Sequence, residues 1–455
     1  MKEVWHLLEP SGTVHVRTTL HYVSKDGQVW TRHRTDIEAT NGALRFAGFP
    51  LALSSVTARV RATDRRVEIL SIQGRVGDGQ VSLSGAIDLT KPGREGTFTL
   101  NASNLAFNDE LVAVTPPALR QVLEAVRPAG RFDLRLDQLH VETGEDGRSR
   151  WDFAGALTLA EVQGDLGFLV RDLTGSVTGR GAVHPDGGIE LDARGEFARA
   201  VLGGWHLEDV KARLVADPTT RTLHIEDFSA DAYDGEAVGF AEIEFAPGGA
   251  SYRLSATARE IQLDRYMTVH HLARRGNPSE PAAEARGSVY GNLVLRGSTG
   301  QYGMREGTGE VFVRETQVCK LPIMLAVFRV LNLAPDENAF HDGWLKYSLA
   351  GDELTFQRID LQGSALSFIG GGRMNLRDRR LDVILLAGSP VRLRVPILTE
   401  LLEGAARDLM EVRVTGTPEA PRIAPQSLEN LSEVLKALFP EPTSPARAAP
   451  PAARG

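Results

Sequence analysis

The sequence predicts a mainly β protein: an elongated antiparallel sheet or groove of repeating hairpins, with a few short amphipathic helices placed mostly towards the C-terminus. Three observations carry this reading. Apolar and polar residues alternate with period two along many short runs, Gly-containing turns separate the runs, and one hairpin phrase recurs three times in the 455 residues. The phrase runs from Ser71-Ile72-Gln73-Gly74 to Gly85-Ala86-Ile87-Asp88-Leu89, from Asp227-Phe228-Ser229-Ala230 to Gly239-Phe240-Ala241-Glu242-Ile243, and from Asp360-Leu361-Gln362-Gly363 to Gly372-Arg373-Met374-Asn375-Leu376. A repeated β unit cannot bury its apolar face alone, so neighbouring units are expected to stack.

Taken in chain order, the strands justify themselves by their alternation. In Val56-Thr57-Ala58-Arg59-Val60-Arg61-Ala62 the apolar set takes one side and Thr57, Arg59 and Arg61 the other. The same grammar recurs at Phe132 to Leu136, Val210 to Leu214, Val289 to Leu293, Leu345 to Leu349 and Val412 to Val414. One dry face and one wet face is the signature of antiparallel sheet. Turn signals such as Gly77-Asp78-Gly79, Pro185-Asp186-Gly187-Gly188, Asp234-Gly235 and Gly351-Asp352 join the runs into hairpin meanders of about 25 strands.

Helical spacing interrupts the β body. Pro116-Pro117 opens a short helix carrying Leu119, Val122, Leu123 and Val126, and Ile261 to Arg275 reads as another. Three apolar helices are expected later, at 321–333, 396–410 and 427–439. In the last, Leu428, Leu431, Leu435 and Leu438 form one stripe, with Ser427 as N-cap and Pro440 as stop, which makes it a possible docking helix. The expected organisation is therefore an N-terminal β-repeat segment (1–130), a middle one (131–260), a helical insertion and loop (261–286), a C-terminal β region with helices (287–426), the amphipathic helix (427–439) and a disordered Pro/Ala-rich tail (440–455).

Composition excludes more than it assigns. A net charge of −8 argues against a nucleic-acid partner, whose phosphates require a basic face. Arginines outnumber lysines but scatter through strands and turns, without the clustering of an anion site. The single cysteine, Cys319, can form neither an internal disulfide nor a Cys-based zinc site, and its apolar neighbours favour packing over reactivity. No stretch reaches the ~20 apolar residues of a membrane span, and the first ten residues lack a signal-peptide core.

No catalytic constellation is legible. His270-His271 are adjacent and point apart on a helix, so they do not suit metal ligation. Gly370-Gly371-Gly372 precedes no Lys-Ser/Thr and no helix, so it reads as a bend or bulge in the turn slot of the third repeat. The expectation is a protein that is not an enzyme, with no catalytic residue, no metal and no cofactor.

A series of C-terminal pieces adds a family likeness. Lys320-Leu321-Pro322-Ile323 precedes Leu354 to Gly363. Ile369-Gly370-Gly371-Gly372-Arg373-Met374-Asn375-Leu376 follows, then Leu381-Asp382-Val383 and a Pro-initiated apolar helix. The series ends on Val412-Arg413-Val414-Thr415-Gly416-Thr417-Pro418-Glu419-Ala420-Pro421. From about Gly307 to Pro425 this order resembles the C-terminal region of the AsmA-like proteins, a bacterial envelope family related to the TamB-like proteins. The first 300 residues share the repeat grammar without a sharp motif. The resemblance implies an elongated β-groove in the periplasm that carries phospholipid or another lipid from the inner towards the outer membrane, with an inner- or outer-membrane protein partner and an inner-membrane anchor outside this chain.

An apolar trough would solvate acyl chains in the same way whatever the family, at ~0.8 kcal/mol per buried methylene. The residues expected to line it collectively are Val81, Leu83 and Ile87 in the first repeat, Phe240 and Ile243 in the second, and Leu366, Phe368, Met374 and Leu376 in the third. A charge at Leu366 or Phe368 is expected to block the path. The alternative reading is a scaffolding envelope protein that binds a protein partner through its sheet edges or through the helix at Leu428 to Phe439.

Overall fold

The computed structural model describes residues 11–426, except 26–27, 47–48, 91–93, 247–248, 276–285, 302–303, 315–339, 365, 390–409 and 419. Cys319, the three later apolar helices and the stripe Leu428, Leu431, Leu435 and Leu438 lie outside the described residues, except that Met410 opens a strand instead of closing a helix. The chain is mainly β. Among the described residues it has twenty-two strands, antiparallel wherever their pairing is described, and three short helices, and the sheet is not closed into a barrel. Contacts divide it into one unit of 1–261 with 292–307 and a second of 262–291 with 308–455.

The N-terminal unit is a continuous meander. It begins with β1 (Ser11–Lys25), β2 (Gln28–Phe46), β3 (Phe49–Thr63), β4 (Arg66–Val76), β5 (Gly79–Asp88), β6 (Arg94–Ala106) and β7 (Ala129–Thr143). It goes on through β8 (Ser149–Asp165), β9 (Leu169–Val183), β10 (Ile189–Leu202), β11 (Trp205–Asp217), β12 (Thr222–Ala232), β13 (Gly235–Ala246) and β14 (Gly249–Gln262). Each strand pairs with the next in chain order, as short hairpin turns dictate.

Two helices, α1 (Asp109–Val114) and α2 (Pro117–Val126), occupy the connection between β6 and β7. The Asn108 side chain caps α1 by accepting from the Leu111 N–H at 2.9 Å, and Pro117 opens α2 where no N–H partner is needed. Arg120 ties the two together by donating to the Ala113 carbonyl at 2.7 Å.

Seven strand residues sit in left-handed backbone at a register shift: Asn41, Ser55, Asn104, Glu161, Asp172, Asp209 and Asp227. Each marks a bulge that bends its strand and sharpens the twist, and Asn and Asp tolerate this conformation best. All seven lie towards the sheet margin that carries the turns 166–168, 203–204 and 233–234. The bends therefore form a line across the sheet. Side-chain acceptors hold the bulges, as where the Asn104 N–H donates to Asp133 at 2.6 Å and the Glu161 N–H to Thr174 at 3.2 Å.

In the C-terminal unit the first described element is the helix α3 (Leu263–Arg275). Strands β15 (Ser288–Ser298) and β16 (Glu306–Arg314) straddle the division between units. Then β17 (Phe340–Ala350), β18 (Glu353–Gly363), β19 (Ser367–Asn375), β20 (Leu381–Gly388), β21 (Met410–Thr417) and β22 (Ala420–Gln426) form a second meander. The Gly370-Gly371-Gly372 run lies inside β19, opposite a bulge in β18, and not in a turn. A Cβ at Gly370 would come within 2.6 Å of the Leu385 side chain, so the run lets β20 pack closely. The turn between β17 and β18 is closed by the Leu376 N–H donating to the Asp352 carbonyl at 2.7 Å. The equivalent bonds from Leu89 to Arg65 and from Phe245 to Arg221 are 2.8 and 3.2 Å, so the three recurring hairpins share a closing contact.

The core of this unit gathers Phe340, Phe368, Leu381, Val383, Leu385, Val412 and Val414, and Phe368 is 0 % exposed. The opposite face of the same strands is also buried at Ile369, Leu386 and Glu411. Replacing Phe368 by Ala removes a fully buried ring 5.6 Å from that of Phe340 and is expected to cost about 3–5 kcal/mol of unfolding free energy, read from denaturant midpoints.

Glu411 is 3 % exposed, and its Oε2 has no hydrogen-bond partner among the described residues. Burial pushes its carboxyl above the ordinary glutamate range, with Arg413 offsetting part of the effect. The protonated form is thus favoured by folding, and ionisation above the raised value opposes it. Glu411→Gln is expected to raise the thermal midpoint at pH 7.5. That gain should fade as pH falls below the ordinary glutamate value, where both folded and unfolded chains hold the proton.

Candidate functional site

The feature of the N-terminal unit with functional reach is its apolar face. Side chains project alternately, so residues paired across strands share a face and can be followed as rows. One row starts Val14, Ala39, Ala58, Ile72, Leu83, Leu100 and Leu136. It continues through Gly155, Gly179, Ala193, Leu214, Ile225, Ala241 and Leu254. Fourteen strands contribute one residue each, and none is polar. At ~4.8 Å between strands the row follows about 60 Å of sheet contour.

A second row runs beside it, from Val16, Ile37, Val60 and Ile69 through Gly85, Phe98 and Leu139. It goes on by way of Phe153, Gly181, Leu191, Ala216, Leu223 and Ile243 to Tyr252. Here rings lie over glycines: a Cβ at Gly96 would meet the Phe98 ring at 2.6 Å and one at Gly181 the Phe153 ring at 2.8 Å. The rings lie low on the sheet and cover backbone that would otherwise be open.

This face is concave. α2, ten residues or about 15 Å long, packs against both β8 and β13, which lie five strand spacings or about 24 Å apart on a flat sheet. Tyr252 of β14 donates its hydroxyl to the Gly167 carbonyl in the β8–β9 turn at 3.3 Å, and its ring meets Phe168 edge-on at 5.8 Å between centroids. The bulged margin thereby meets the opposite margin across the trough. Burial pushes the Tyr252 phenol above its ordinary range, so it keeps the proton it donates.

Burial varies along the trough. Val56, Val60, Ile69 and Ile72 are fully buried at the N-terminal end, and Leu105, Phe132, Leu159 and Val162 are buried in a cluster packed against Phe107 and Leu111. Between and beyond them Leu100, Leu136, Val177, Leu191, Leu214, Ile225 and Leu254 are only half-buried. A packed interior would hide such side chains. The Gly155, Gly179 and Ala193 stretch adds depth beneath them.

The other face is polar and held by cross-strand ion pairs. Asp36 on β2 meets Arg61 on β3 at 2.9 Å, with Arg34 at 3.0 Å and Glu68 next to Arg61 at 3.8 Å. Bonds from Arg61 first, then Arg34, hold the Asp36 carboxyl below the usual range. Arg150 does the same for Asp152 on β8, and Arg413 for Asp382 in the C-terminal unit. Exposed pairs of this kind add little stability, but they oppose a one-residue slip, which would turn every charge inward.

The residues expected to line a groove divide accordingly. Leu83 lies on the central row, Val81 packs beside the cluster under α1, and Ile87 and Ile243 are buried on the same face. Phe240 does not join them. It is 53 % exposed on the polar face with Glu242, because a separation of three from Ile243 puts the two on opposite sides. Phe368, Leu366 and Met374 belong to the packed core of the C-terminal unit, and Leu376 lies in the turn after β19. A charge at Phe368 would therefore disrupt a core before it could obstruct a path. Sequence reading missed the Tyr252–Gly167 contact, which joins residues 85 apart, and the half-buried Leu100, Leu136 and Leu214.

Among the described residues no group of three or more His, Cys, Asp or Glu side chains is placed to hold a metal ion, and no helix is long and apolar enough to cross a membrane. No family model, curated protein or solved structure matches this chain.

Gly167 has φ +84°, and a Cβ there would strike the Tyr252 ring. Gly167→Ala is expected to destabilise the N-terminal unit by about 1–3 kcal/mol, and Tyr252→Phe by about 0.5–1.5 kcal/mol. Differing urea midpoints with the same ordering would check both.

Proposed function

We propose that the protein is a non-enzymatic component of the bacterial cell envelope that shields lipid acyl chains in the apolar trough of its N-terminal unit. The observation that carries this reading is the pair of apolar rows, unbroken over fourteen strands on a concave face and half-buried along much of their length. The likeness of the C-terminal region to the AsmA-like proteins supports a role in lipid transport from the inner to the outer membrane and in outer-membrane biogenesis. It supports a periplasmic location with anchorage at the inner membrane.

The energetics are adequate. Ten methylenes taken from water contribute roughly 8 kcal/mol before ordering costs are subtracted. No polar side chain interrupts either row, so no point of the trough pins a chain and an acyl tail can shift along it against small barriers. Charged headgroups remain outside, since burying one without a partner costs far more than a methylene gains.

The test is extraction of the protein, purified from a bacterial envelope, with organic solvent. Co-purifying phospholipid in roughly stoichiometric amount is expected, and Leu136→Glu and Leu214→Glu should each lower it several-fold while leaving a cooperative thermal transition. Lipid-free wild-type protein, or unchanged lipid in both variants, would refute the proposal.

A further inference from the structure

The outer edge of β1 is built to accept another strand. Among the described residues β1 pairs only with β2, and its fifteen residues contain no proline. Its two faces continue those of the sheet. Val16, Leu20 and Tyr22 share the face of the apolar rows, with Thr18 among them and His33 and Thr31 opposite Leu20 and Tyr22 on β2, and are 48, 50 and 69 % exposed. On the polar side His15, Arg17, Thr19 and His21 are exposed, and Arg17 makes no ion pair among the described residues, because Asp36 opposite it is engaged by Arg34 and Arg61. Natural edge strands are usually blunted by proline, shortness or inward charge. β22 shows such blunting, with Pro421 and Pro425 in seven residues. β1 shows none.

We propose that β1 is a β-augmentation site for an edge strand of a different protein, one that alternates apolar side chains with carboxylates. Main-chain bonding supplies affinity, the apolar alternates extend the row of Val16, Leu20 and Tyr22, and carboxylates face Arg17 and the two histidines. Charge selects against the chain itself. A second β1 laid antiparallel would bring two sets of His15, Arg17 and His21 onto one face, and β22 would offer Arg422 and two residues without N–H donors. The inference is independent of what the trough holds.

The experiment uses the delipidated full chain and two labelled peptides of about eleven residues, long enough for one strand. One alternates Val and Leu with Glu, and the other carries Lys in place of every Glu. Fluorescence anisotropy should show the Glu peptide bound and the Lys peptide at least fivefold weaker. Arg17→Glu should shift the preference towards the Lys peptide by about two- to fivefold, and Leu20→Lys should weaken both. Arg17 and Leu20 are exposed, and far-ultraviolet circular dichroism confirms that each variant keeps its strands. Equal or absent binding of the two peptides, or insensitivity to Arg17→Glu, overturns the proposal. So does a dimer by light scattering that Leu20→Lys dissociates, which would make the occupant a second copy. Adsorption of the peptide-free chain to phosphatidylcholine vesicles that Tyr22→Ser abolishes overturns it too, by assigning the apolar row to a lipid surface.

Discussion

Every consequence drawn for this protein depends on one constraint, the parity of side chains along a strand. With period two, a single apolar residue placed in register with its neighbours commits a whole row to one face. Val14, Leu83, Leu136 and Leu254 lie on four strands spread across the N-terminal meander, yet they belong to one uninterrupted row because each intervening pair keeps the same parity. The polar face enforces this choice. A slip of one residue at β2–β3 would turn Arg61 towards the trough and away from Asp36, and unpaired charge there is costly.

Parity alone makes a flat two-faced sheet, and bulges turn it into a trough. Asn104, Glu161, Asp209 and Asp227 each add a left-handed residue near the same margin, so the bends add up along a line. The curl brings Tyr252 within hydrogen-bonding distance of Gly167 and lets α2 touch β8 and β13 together. Curvature also decides exposure. Where Phe107 and Leu111 cover the face it becomes core, and where no described side chain does, the leucines remain half-buried.

The two units use the same grammar to different ends. In the C-terminal unit the apolar side chains of β19 to β21 close into a core around Phe368, and the reverse face is buried as well, down to a carboxylate at Glu411. Its strands are shorter, seven to eleven residues from β17 to β22 against ten to nineteen in β1 to β14. A shorter strand presents fewer rows, and those rows are consumed by packing. The N-terminal strands are long enough to spend some rows on packing and to leave others open.

Much of this was legible in the residues themselves. Period-two runs and Gly turns mark the hairpins, and Pro116-Pro117 and Ile261 announce the helices at Pro117–Val126 and Leu263–Arg275. Even the bulges leave a trace, since apolar spacing jumps from two to three at Ile69 to Ile72, Leu136 to Leu139 and Leu159 to Val162. Phe240 and Ile243 show the same spacing of three with no bulge between them, so spacing alone does not separate a bulge from a change of face. Local alternation determined which residues share a side within each strand. Only the tertiary structure decided that the apolar side of β1 to β14 curls on itself and stays partly open while that of β19 to β21 closes. Curvature accumulates from small bends over many strands, and no single stretch of sequence contains that sum.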